Sequence, residues 1–140
     1  MDALPIELSI LCGGGLFINQ LLEASEVLRA VMGDNPRIFP VASMEEEAFP
    51  CISYRREDIN TTGVKGTEPP MEGTWEVTCW SRDYVESLYM AEAVRMTLHG
   101  KRARLDCGLT IRHCALVSST ETAYENGVYA QEMIFMIRIN

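Results

Sequence analysis

Apolar positions along the chain change period several times, and each change marks an element. Phe17, Leu21, Ala24, Leu28 and Val31 share one face of a helix. Gly33 and the Asp-Asn-Pro that follows supply its stop. "RIFPV" (37–41) holds only a short extended piece, because Pro40 cannot donate to a ladder and biases Phe39 to extended angles. In "PCISYRRED" (50–58) Ile52 and Tyr54 point to one face, and Ser53, Arg55 and Glu57 to the other. The alternation returns in Thr74–Trp80, so these two runs predict an antiparallel pair. The polar stretch between them, 59–73, is longer than most hairpins use. Two further runs, 107–119 and 128–139, predict a second pair around an Asn-Gly turn. In the last of them Tyr129, Met133, Phe135, Ile137 and Ile139 share a face.

Between the pairs lies a second helix. Ser81 or Asp83 caps it, Glu86 suits the positive end of its dipole, and Gly100 closes it. At 100° per residue Tyr84, Leu88, Ala91, Val94 and Leu98 form one stripe, which is expected to face the sheet. Val85, Tyr89, Ala93 and Met96 form a second apolar ridge. One account of that ridge is looser burial under the first helix or a loop, the simpler reading. The other is a contact between subunits. The element order is therefore helix, three strands, helix, two strands. It predicts an α+β fold whose four- to five-stranded, mainly antiparallel sheet carries two helices on one face.

A chain of 140 residues with 47% hydrophobic content fits a single domain over 1–140 with its own core. Gly13–Gly15 read as a flexible break, leaving residues 1–15 as a leader that is expected to be mobile. Acidic Asp2 and Glu7, with Leu11 directly before Cys12, do not make a signal peptide. No apolar run reaches the roughly 20 residues of a membrane span. The net charge of −8 argues against broad nucleic-acid binding, and sequence-specific contact with it is not expected.

Candidate chemistry is sparse. The five cysteines are odd in number, lack a CxxC spacing and read as reduced core residues. Cys79 alternates with Trp75 and Val77 on a core face. Cys107 and His113 would share a strand face, yet about 20 Å apart at ~3.3 Å per residue. Cys114 lies on the face opposite His113, leaving His99 as the histidine that folding could bring to a thiol. No zinc ligand set, phosphate loop or other cofactor motif occurs, so neither metal nor cofactor is expected. "KRAR" (101–104) complements the carboxyl end of the second helix, with phosphate contact as the less favoured reading. The pattern predicts scaffold rather than enzyme.

"RIFPV", "FPCISYRR", "SRDYVESLYMAEAVRMTLHG" and "YAQEMIFMIRI", in that order, resemble the tail-completion family of tailed bacteriophages, also described as tail terminators or tail-to-head joining proteins. The resemblance runs from about Phe17 to Asn140 and is densest at Trp80, Ser81, Tyr84 and the helix behind them. It implies a structural subunit of the virion tail, assembled in the host cytoplasm. Such a subunit forms a ring with copies of itself, typically six, caps the tail tube protein and meets the head–tail connector protein. A ring needs heterologous contacts. The ridge Val85, Tyr89 and Met96, the loop bearing Lys65 and Glu68, and an unpaired sheet edge are the candidates. The alternative is a small module that binds a ligand or partner in a concave pocket over its sheet.

Overall fold

A computed structural model describes residues 6–41, 49–59 and 71–139. The chain runs α1 (Ile10–Ala24), α2 (Glu26–Met32), β1 (Ile38–Pro40), β2 (Cys51–Ile59), β3 (Glu72–Ser81), α3 (Tyr84–Leu98), β4 (Ala103–Arg104), β5 (Thr110–Ala123) and β6 (Tyr129–Ile139). Six strands in the order β1-β2-β3-β6-β5-β4 make one sheet. β1 lies parallel to β2, and every other neighbouring pair is antiparallel. The α+β class and the mainly antiparallel sheet hold. The expected four to five strands and two helices become, among the described residues, six strands and three helices.

Both additions have a local cause. The first helix breaks at Ser25, which takes extended angles (φ −75°, ψ 116°) and accepts a hydrogen bond at its hydroxyl from the Leu28 amide. That cap starts α2 as a separate helix, which leans on α3. The break also moves the buried face, so that Phe17, Ile18 and Leu22 are enclosed while Ala24 is exposed. Within "KRAR", Ala103 and Arg104 pair with Ile111 and Thr110 as a two-residue strand, too short to leave a periodic signal.

The glycines expected to be a flexible break are helical instead. α1 begins at Ser9, whose hydroxyl accepts the Leu11 amide, and passes through all three. A β-carbon on Gly14 would collide with the Trp75 ring, and one on Gly13 would press the Leu109 side chain. These residues let the helix lie close on β3 and on the β4–β5 turn. Residues 1–5 lie outside the described range.

α1 and α3 pack over the sheet, and Phe17, Leu22, Val77, Leu98, Phe135 and Ile137 fill the space between. Each such side chain contributes about 1.5–3 kcal/mol through burial. The alternation of Trp75, Val77 and Cys79 on β3 and of Met133, Phe135, Ile137 and Ile139 on β6 meets this core as expected. On the helix-free side, Trp80 donates from its indole to the Ser53 hydroxyl and lies against Phe49 and Tyr124.

Candidate functional site: an apolar helix face and a charged sheet

α3 presents only part of the expected stripe to the core, Val94 and Leu98 with Ala91 half-buried beside them. Ser87, Met90, Ala93, Val94 and Leu98 are buried, whereas Tyr84 and Leu88 are 40% and 36% exposed. The helix is rotated because it is apolar on more than one side, so periodicity alone does not choose the buried face. Ser87 tolerates burial because its hydroxyl donates to the Tyr84 carbonyl and accepts from the Gln131 amide.

The rotation turns Val85, Tyr89 and Met96 outward, at 50%, 62% and 52% exposure. Looser burial of this ridge under the first helix or a loop, the simpler sequence reading, is thereby overturned for these three residues. Ala93 alone of the ridge is buried. With Tyr84 and Leu88 the outward residues form an apolar strip along one helix, crossed between Tyr89 and Met96 by the exposed Glu92–Arg95 ion pair, and such exposed apolar surface is of the kind that partners cover. Lys65 and Glu68 lie outside the described residues.

The amino end of α3 is held by a polar network. Asp83 caps the helix by accepting from the Val85 and Glu86 amides. The Tyr84 hydroxyl donates to Glu121 on β5, and Gln131 on β6 donates to the same carboxylate. The bond to Glu121, reinforced by that carboxylate's charge, raises the Tyr84 phenol above its ordinary pKa. The Tyr84 ring also meets Tyr129 edge-on, with centroids 5.4 Å apart. This end of the molecule is acidic and aromatic, and its side chains are fixed in place.

The neighbouring sheet edge is partly open. β4 covers only Thr110 and Ile111 of β5. Further along, the carboxyl end of α3 covers it: the Gly100 amide donates to the Cys114 carbonyl, and the Leu116 amide donates to His99 Nδ1. The Tyr124 amide bonds the Val128 carbonyl, which sets the alternation and turns the backbone groups of Ser119, Glu121 and Ala123 away from β6. Among the described residues no strand pairs with them. Such an edge can accept a strand from another chain.

His99 accepts from the backbone and ends a helix. Cys107 lies exposed between β4 and β5, not on a strand with His113 as expected, because the strand starts only at Thr110. Cys79 is buried in the core, and burial raises its thiol pKa far above the ordinary value. Burial likewise raises Cys51 to about 11, partly offset by the positive charge of Arg37, and Cys114 to about 12. Buried neutral thiols of this kind are poor nucleophiles. Among the described residues no cluster of three or more histidine, cysteine, aspartate or glutamate side chains could hold a metal ion. No helix among them is long and apolar enough to cross a membrane.

Sequence reasoning missed Tyr84, Leu88 and Glu121 as surface-site residues. It also treated "KRAR" in isolation, whereas Arg112 and Arg138 join it across the sheet. A family model described as tail completion protein gp17 matches residues 18–140. No curated protein matches the chain. Among solved structures, a chain from the virion of a native gene transfer agent particle superposes with a TM-score of 0.69. It shares 17% identity, and the match covers 87% of this chain and 90% of that one. At that identity the likeness speaks for the fold.

Proposed function

We propose, given that the chain belongs to the tail completion protein gp17 family, that it is a structural subunit of a phage or prophage tail which closes into a ring with its own copies. The ring, of six copies as is usual for such subunits, caps the tail tube and offers its other face to the head–tail connector. Catalysis has no part in this role. Assembly takes place in the bacterial cytoplasm, and the chain acts there as a single domain.

The observation that carries the reading is the outward strip of Val85, Tyr89 and Met96. A buried core that is already filled does not require it, and a subunit interface does. The open edge of β5 beside the strip adds backbone donors and acceptors to the same surface. A ligand-binding module would want a concave pocket over the sheet, but that space is occupied by Phe17, Phe135 and their neighbours.

Electron microscopy and native mass measurement at rising concentration test the ring. Wild-type protein is expected to give closed rings, and Tyr89→Asp is expected to abolish them. Its folding stability should stay within about 0.5 kcal/mol of wild type, because the side chain is exposed. Wild-type protein that stays monomeric at every concentration and is absent from tails would refute the reading.

A further inference from the structure

The described charges divide along the molecule. β5 spans 14 residues, on the order of 40 Å, and its two ends differ in sign. At the hairpin end, beside the amino end of α3, Asp83, Glu86, Glu121, Glu125 and Glu132 outnumber Arg82, whose guanidinium donates to the Asn126 carbonyl. At the other end stand Lys101, Arg102, Arg104, Arg112 and Arg138, all exposed, five of the chain's 12 basic residues, outnumbering the exposed Asp106 and the Glu72 that lies opposite Arg138 on β3. The topology brings those five together. Arg104 lies opposite Thr110, and Arg138 opposite His113. A register irregularity between Ile111 and His113 turns Arg112 outward as an extra residue. No ion pair joins any of the five to a described carboxylate.

On a chain of net charge −8, these five exposed cations form a local patch of the opposite sign, which attracts an acidic surface of another copy. The shape of the basic end fits an aromatic anchor. Arg102, Thr110, Ile111 and Arg112 bound a recess of ≈ 230 Å³, with a guanidinium on two sides. Met71, whose carbonyl accepts from the Ile139 amide, adds exposed apolar surface next to Arg138. Arginine stacks on tyrosine and pairs with carboxylates, and both residue types recur as interface anchors. The α3 end offers the counterpart: Tyr84 and Tyr89 are exposed, Glu121 holds the Tyr84 hydroxyl, and the exposed Glu125 stands in the hairpin whose Asn126 carbonyl accepts from Arg82 just before the helix.

We infer that the acidic, aromatic α3 end of one subunit seats on the basic β4 end of the next copy of this chain. The inference rests on the ring reading and deepens it, because two different patches at opposite ends give the head-to-tail contact that a ring requires.

Two double variants test it. One blocks the α3 end (Tyr89→Lys with Glu125→Lys), and the other blocks the β4 end (Arg102→Glu with Arg112→Glu). All four side chains are exposed, so circular dichroism should show both variants folded. Sedimentation is expected to show wild type associating with concentration. Each variant alone should need roughly tenfold more protein or stay monomeric. An equimolar mixture should form a 1:1 dimer and stop, through the one intact pair of ends. A variant that assembles like wild type, or a mixture that stays monomeric, would overturn the pairing and leave the ring standing. A β4-end variant that assembles normally but loses retention on short duplex DNA would assign the basic end to phosphate and overturn it as well. A wild type that never associates removes both readings together.

Discussion

Gly14 shows how much one missing side chain decides. Glycine in a helix interior costs about 1 kcal/mol relative to alanine, so a run of three in α1 requires a reason. At Gly14 the reason is the Trp75 ring, and at Gly15 there is none, because nothing lies within 4 Å of a β-carbon there. The two substitutions should therefore have opposite signs. Gly14→Ala gains the helix propensity but forces a helix off a tryptophan, an overpacking that costs about 1–3 kcal/mol or more. Thermal unfolding should show a lowered midpoint. Gly15→Ala should raise the midpoint, with a gain of up to about 1 kcal/mol.

Among elements, the junction of α1 and α2 turns on a hydroxyl. Ser25 caps α2, and its Oγ also lies 2.7 Å from the Thr97 hydroxyl on α3. Thr97 in turn donates to the Ala93 carbonyl. The cap thus sets both where α2 starts and how α2 meets α3. Ser25→Ala removes the cap, worth about 1 kcal/mol, and one partner of a partly buried pair. A loss of roughly 1–2 kcal/mol in urea unfolding is expected, with the slope of the transition unchanged. A value near zero would mean that packing against α3, not the cap, divides the two helices.

For the molecule as a whole, the buried thiols give a measure of integrity. Cys51, Cys79 and Cys114 are buried, while Cys107 is exposed and Cys12 half-buried. In the folded protein a thiol reagent should modify Cys107 first, and the three buried cysteines only on unfolding. Their pH dependence has a definite sign. Burial raises the folded pKa values, to about 11 for Cys51 and about 12 for Cys114, above an unfolded value of roughly 8.5. The stabilisation is therefore complete below pH ~8.5 and declines as the pH rises towards those folded values. For Cys51 and Cys114 stability falls by at most about 1.4 kcal/mol per pH unit in that window. Denaturant midpoints measured between neutral and alkaline pH should fall accordingly, and a flat profile would contradict the burial.

Local pattern was enough for the elements whose two faces differ strongly. β3 and β6 alternate between core and surface, so period two alone placed Trp75, Val77, Phe135 and Ile137 inside. The same short-range chemistry led to the α+β class and narrowed the cap to Ser81 or Asp83, of which the fold uses Asp83. Tertiary structure decided everything for which the chain offers two equivalent local answers. α3 is apolar on several sides, and only packing against α1, β3 and β6 chose the Met90–Val94 face and left Tyr89 in solvent. The Gly13–Gly15 run is compatible with a break or a helix until Trp75 arrives from β3. The basic end joins residues some 37 positions apart in the chain, from Lys101 to Arg138, through strand pairing that no local period records. A side chain's own periodicity reports how it meets the nearest turn or strand. Which of two apolar faces is buried, and which distant charges become neighbours, are properties of the pairing partners, and those exist only once the chain has folded.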